Sequence, residues 1–94
     1  MDESVYSVLV VEDSAAIRRK VSDLLAESRL GRFVLEEAED LAGALALLEV
    51  SHPDAVLLDL GLPDSTGMRT FNRVRVARPE SAVVVLTADD SDAS

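Results

Sequence analysis

Ala55-Val56-Leu57-Leu58-Asp59-Leu60-Gly61-Leu62-Pro63-Asp64 is an apolar run that ends in a carboxylate and passes into a Gly/Pro turn. Four apolar residues bounded by Pro53-Asp54 and Gly61-Leu62-Pro63 fit a strand buried on both faces better than a helix. Asp59 then stands at the strand's C-terminal end, where open α/β sheets place their ligand sites.

The chain on either side repeats the theme. Val5 to Val11 is β-branched and nearly all apolar toward its end, as in a central strand, and Glu12-Asp13-Ser14 stops it. Asp13 or Ser14 can cap the following helix. From Ala15 to Ser28, Ile17, Val21, Leu24 and Leu25 recur at helical spacing while Arg18, Arg19, Lys20 and Asp23 face away. Gly31 is placed to end that helix. Phe33-Val34-Leu35-Glu36 reads as a strand at the sheet edge. Asp40 starts a second helix through Val50, with Leu41, Ala44, Leu45 and Leu48 inward. A third helix is predicted from Met68 to Ala77, with Met68, Phe71 and Val74 inward and Pro79 marking its end. Ala82 to Leu86 is another apolar strand, followed by Thr87-Ala88.

The order β-α-β-α-β-α-β predicts an α/β fold, a doubly wound parallel sheet with helices on both faces. Right-handed crossovers bring all strand C-termini to one rim. Glu12-Asp13, Asp59 and Thr87-Ala88 therefore converge.

Bulk properties narrow the function. Ninety-four residues, 48% of them apolar, make one small domain with a core. Eighteen acids against nine bases give a net charge of −9, which argues against nucleic-acid binding by this segment. Cysteine is absent, so there is no disulfide framework or thiolate metal site, in keeping with a reducing compartment. No apolar run approaches the roughly 20 residues of a membrane span. The acidic start Met1-Asp2-Glu3-Ser4 is unlike a secretory signal. A cytoplasmic protein with no membrane partner is expected.

Singly, Glu12 and Asp13 read as a capping pair and Asp59 as a turn acid. Jointly, three acids at adjacent strand ends need more. Like charges ~4 Å apart repel by about 4 kcal/mol at an effective dielectric near 20. A cation or raised pKa values must offset this. Oxygen-only donors with open water positions suit Mg²⁺. A carboxylate beside such an ion can act as a nucleophile toward phosphorus.

Val8-Leu9-Val10-Val11-Glu12-Asp13-Ser14, the stretch Leu57 to Asp64 with Gly67, and Val84-Val85-Leu86-Thr87-Ala88 together resemble the CheY-like receiver domain of bacterial response regulators. The spacing of Gly31 to Ala42 and His52-Pro53-Asp54 also agrees, and the resemblance spans residues 5–90. It implies a flavodoxin-like sheet with family strand order 2-1-3-4-5. It further implies Asp59 as phosphoacceptor and Asp13 as a direct Mg²⁺ ligand. Glu12 would act through water, and the backbone carbonyl of Gly61 would complete the protein ligands. Thr87 would be the switch hydroxyl, with Ala88 leaving room in the phosphoryl pocket. Gly61 and Asp89 occupy the positions that tune phosphoryl lifetime in the family. A sensor histidine kinase or phosphotransfer protein would be the partner, and the domain would be a signal receiver in phosphorelay signal transduction rather than an enzyme.

The family pattern also calls for a fifth strand, its flanking helices, a lysine and an aromatic switch residue after the fourth strand. Residues 1–94 are thus read as a receiver domain truncated after that strand, without an effector domain. The single lysine, Lys20, lies on the first helix and reads as surface charge. From this, impaired phosphorylation is expected, as is a homodimer or swapped oligomer through the Ala82–Leu86 edge. The alternative is a docking or self-association module that keeps the receiver fold and works without phosphorylation. A haloacid-dehalogenase-type phosphatase wants a second aspartate where Gly61 stands, and His52, beside Pro53 in a loop, is unlike a phosphotransfer histidine.

Overall fold

The computed structural model describes residues 4–86. Strands β1 (Val5–Val11), β2 (Arg32–Ala38), β3 (Ala55–Asp59) and β6 (Ala82–Leu86) form a parallel sheet in the order β2-β1-β3-β6. Helices α1 (Ala15–Ala26), α2 (Leu41–Leu48) and α3 (Met68–Ala77) connect them. A two-stranded antiparallel hairpin, β4 (Gly61–Leu62) and β5 (Ser65–Thr66), sits between β3 and α3. The doubly wound parallel sheet is therefore present, and the short hairpin adds to it. The chain reverses direction across the sheet after β2, so right-handed crossovers put α1 on one face and α2 with α3 on the other.

Alternation along the strands divides their side chains between these faces. Leu9, Val11, Val56 and Leu58 join Leu41, Ala44 and Leu48 of α2 and Val74 of α3 in one fully buried cluster. Each large side chain closed off in this way contributes roughly 1.5–3 kcal/mol relative to exposure. Val8 and Val10 are buried too, on the alternate positions of β1. No residue of α1 is fully buried; Ile17, Val21 and Leu25 are half-buried and Leu24 is exposed.

Several boundaries and orientations differ from the sequence reading. Helix α1 ends at Ala26 and is closed by the Glu27 backbone N–H, which donates to the carbonyls of Asp23 and Leu24. Gly31 does not end it. A Cβ there would come within 2.7 Å of the Ser4 carbonyl oxygen and 2.9 Å of the Tyr6 ring, so glycine allows the entry to β2 to lie against β1. In α3 the inward stripe runs through Thr70 and Val74, with Phe71 half-buried. Met68 is exposed because it lies about 200° round the helix from Thr70, at ~100° per residue. Thr70 can be buried because its hydroxyl shares a 2.6 Å hydrogen bond with Ser65 of β5.

Candidate acidic phosphoacceptor site

The carboxylates of Glu12, Asp13 and Asp59 meet at the C-terminal rim, one oxygen of each lying within 4.8 Å of the others. Strand register explains the meeting. Val11 pairs with Leu58, so Glu12 and Asp59 are the next residues on adjacent strands, and Asp13 follows in the loop to α1. Glu12 is buried, Asp59 half-buried and Asp13 exposed. Leu86 pairs with Asp59, so β6 reaches the same rim. The predicted switch residue Thr87, pocket residue Ala88 and lifetime position Asp89 lie outside the described residues.

Glu12 is held from several sides. Its N–H donates to the Ala38 carbonyl at 2.9 Å, extending the β1–β2 ladder past its last pair. Its Oε2 accepts from the Ser14 N–H at 3.0 Å. Arg18 Nη1 donates to the Glu12 carbonyl at 2.6 Å, and Arg18 Nε donates to Glu37 Oε1 at 2.8 Å. Arg18 thus ties the start of α1 to the ends of β1 and β2, whereas helical spacing had placed it among the outward charges. Ser14 is the N-cap of α1, its Oγ accepting from the Ile17 N–H at 3.3 Å. That leaves Asp13 free of a capping role.

Burial raises the Glu12 carboxyl above its ordinary range, the Ser14 N–H offsets part of this, and the neighbouring Asp13 and Asp59 charges raise it further. Asp59 Oδ1 accepts from the Gly61 N–H at 3.0 Å, which fixes its carboxylate against the turn that follows it. A Cβ at Gly61 would make an ordinary van der Waals contact with that oxygen, at 3.7 Å, so packing alone does not require glycine there.

The turn after Asp59 is fastened to a second element. Asp64 Oδ1 accepts from the Leu41 N–H at 2.8 Å and Oδ2 from the Ala42 N–H at 2.9 Å. Asp40 accepts from the Gly43 N–H through its side chain at 2.8 Å and from Ala44 through its carbonyl at 3.1 Å. Together the two aspartate side chains satisfy the three free donors that follow the N-cap, Leu41, Ala42 and Gly43, while the Ala44 bond is the first ordinary turn of the helix. The Leu41 and Ala42 amides hold the Asp64 carboxyl below its usual range. Sequence pattern carried no signal for this clamp, because the partners are 23 and 22 residues apart. His52 stands 3.4 Å from Glu80 in an exposed pair away from the rim.

An oxygen-only set of three clustered carboxylates, one of them buried with a raised proton affinity, fits a hard divalent cation. Residues 8–94 match the response regulator receiver domain family. Similar curated proteins include the nitrate/nitrite response regulator protein NarP of Escherichia coli, 34% identical over 92% of this chain and 40% of the relative. Another is a protein-glutamate methylesterase/protein-glutamine glutaminase of Rhodospirillum rubrum, 33% identical over 92% of the chain and 23% of the relative. Among solved structures, the MaeR response regulator bound to beryllium trifluoride matches at 25% identity with a TM-score of 0.79, over 90% of this chain and 69% of that one. The phosphorylated cyanobacterial phytochrome response regulator RcpA matches at 27% identity with a TM-score of 0.77, over 96% and 71%.

The chain belongs to the receiver-domain family of two-component response regulators, whose general function is to take a phosphoryl group on an aspartate. Receivers of this family interact in general with histidine kinases or phosphotransfer proteins. The chain spans 23% and 40% of the length of the two curated relatives described, and its match to the methylesterase covers less than a quarter of that protein. No helix among the described residues is long and apolar enough to cross a membrane.

Proposed function

We propose that Asp59 is the phosphoacceptor of this receiver and that Glu12, Asp13, Asp59 itself and the Gly61 carbonyl hold Mg²⁺ there. The observation that carries this is the approach of the three carboxylates to within 4.8 Å across adjacent strand ends. The ion would neutralise charge on the transferring group. Asp59 supplies the nucleophile: a carboxylate oxygen forms the O–P bond as the P–N bond of a donor phosphohistidine breaks, and the donor nitrogen keeps that electron pair, leaving as neutral imidazole with the proton on its other ring nitrogen. The Gly61 N–H on Oδ1 orients the acceptor. Thr87 is assigned the hydroxyl that meets the phosphoryl oxygens, and Ala88 the small residue that leaves it room. The donor is assigned to a cytoplasmic sensor histidine kinase or phosphotransfer protein. A Mg²⁺ titration followed by addition of beryllofluoride tests the site. Binding that is lost in Asp13→Ala and in Asp59→Ala supports it, and absence of any metal binding refutes it.

A second reading has its own observation. Among the described residues strand β6 forms one edge of the sheet, with Val84 49% and Val85 37% exposed. An apolar edge with unpaired backbone groups is a template for strand pairing, so self-association through Ala82–Leu86 is proposed alongside phosphoryl transfer.

A further inference from the structure

Charge is unevenly divided in this chain. Residues 65–79 contain Arg69, Arg73, Arg75 and Arg78 and no acid, while the rest carries eighteen acids against five bases. Arg78 is half-buried and its Nε donates to the Ser51 carbonyl at 3.1 Å. Arg69, Arg73 and Arg75 are exposed. The ion pairs among the described residues are Arg18–Glu37 and His52–Glu80, and neither uses these three arginines. Arg75 lies over the Phe71 ring, 5.8 Å from its centroid, which holds its guanidinium on the helix surface.

Helical spacing makes a surface of them. Arg69, Asn72, Arg73 and Val76 recur at i, i+3, i+4 and i+7 and so share the outer face of α3. Val76 is 80% exposed and lines a shallow recess with Asn72, Arg75 and Pro79. An ordinary solvated face in so acidic a protein would interleave both signs; this one presents three guanidinium groups, without an ion-pair partner among the described residues, around one exposed apolar side chain.

We propose that the outer face of α3 is a docking surface for an acidic polypeptide segment that sets one apolar side chain against Val76. Carboxylates match guanidinium groups in geometry and charge. A helix of ten residues is about 15 Å long, which a short peptide can cover while avoiding the acidic remainder. A nucleic acid, which needs a basic surface extending along its backbone, would meet a remainder of eighteen acids against five bases. A lipid surface needs a broad apolar face, and the apolar stripe of α3 at Val74 is already spent in the core.

The test is fluorescence anisotropy on the full 94-residue chain with a fluorescein-labelled ten-residue peptide of glutamates around one leucine. Saturable binding is expected at low salt. It should weaken roughly tenfold or more in Arg69→Glu/Arg73→Glu/Arg75→Glu, the scale set by three exposed ion pairs. It should also weaken in Val76→Asp and when the peptide leucine is replaced by glycine. Thermal melts check the fold of each variant, and an Arg→Gln triple serves if the reversal fails to fold. Absence of saturable binding, or binding unchanged in the triple variants, overturns the proposal. So does tighter arginine-dependent binding of a short DNA duplex or of phosphatidylserine vesicles.

Discussion

Glu12 combines a structural liability with a proposed ligand role. Its carboxylate is buried beside two others, and each neighbouring charge at 4.8 Å repels it by about 1 kcal/mol in water and about 3–4 kcal/mol at an effective dielectric near 20. Glu12→Gln is therefore expected to stabilise the metal-free protein at neutral pH by about 1 kcal/mol, read as a higher Tm, and to diminish the further rise on adding Mg²⁺. A raised carboxyl pKa destabilises the fold in full above its folded-state value, and the cost fades to nothing between that value and the lower unfolded one. The gain should accordingly shrink as pH falls through that value. A variant no more stable than the parent at neutral pH would contradict this. Asp64 behaves in the opposite sense. Its carboxyl is lowered by the Leu41 and Ala42 amides, so its contribution is present above the unfolded value and is lost as pH falls toward the folded one. Asp64→Asn should lower the Tm at neutral pH, and the difference from the parent should close in acid. A difference that persists unchanged below the ordinary carboxylate range would contradict the clamp.

At the scale of elements, the turn between β3 and α3 depends on Gly67. Its φ of 73° and ψ of −155° fall in a region that side-chain-bearing residues avoid. Its N–H donates to the Leu60 carbonyl at 2.8 Å, closing the loop that carries Gly61. Gly67→Ala is expected to cost roughly 1–3 kcal/mol of unfolding free energy in denaturant titration, and a loss near zero would show that the turn relaxes freely.

The four principal strands and three helices were legible because continuous apolar runs and helical periodicity are local signals. The rim was legible because crossover handedness fixes which strand ends share an edge. What escaped depends on partners distant in sequence or on polar pairing. Thr70 looks like a surface residue until Ser65 is beside it. Arg18 looks outward-facing until the Glu12 carbonyl and Glu37 come within reach. Met68 looks inward because it is apolar, whereas the first turn of α3 has its packing face elsewhere. The β4–β5 hairpin has only two residues per strand, too few for alternation to register.

For the whole molecule, the β6 edge that the described residues leave unpaired and the rim bear on one question, whether association and phosphoryl acceptance are separate. Edge pairing between two copies would be isologous. Sedimentation should reveal a dimer that Val84→Lys returns to monomer, because charge on an edge strand opposes pairing; a parent chain that sediments as a monomer throughout contradicts that reading. The role of Asp59 is tested most directly by intact-mass spectrometry with peptide mapping after incubation with acetyl phosphate, with and without Mg²⁺. The expected result is one phosphoryl adduct on Asp59 that requires Mg²⁺ and disappears in Asp59→Asn. An adduct that persists in Asp59→Asn, or one that forms equally well without the metal, would contradict the assignment of the acidic rim.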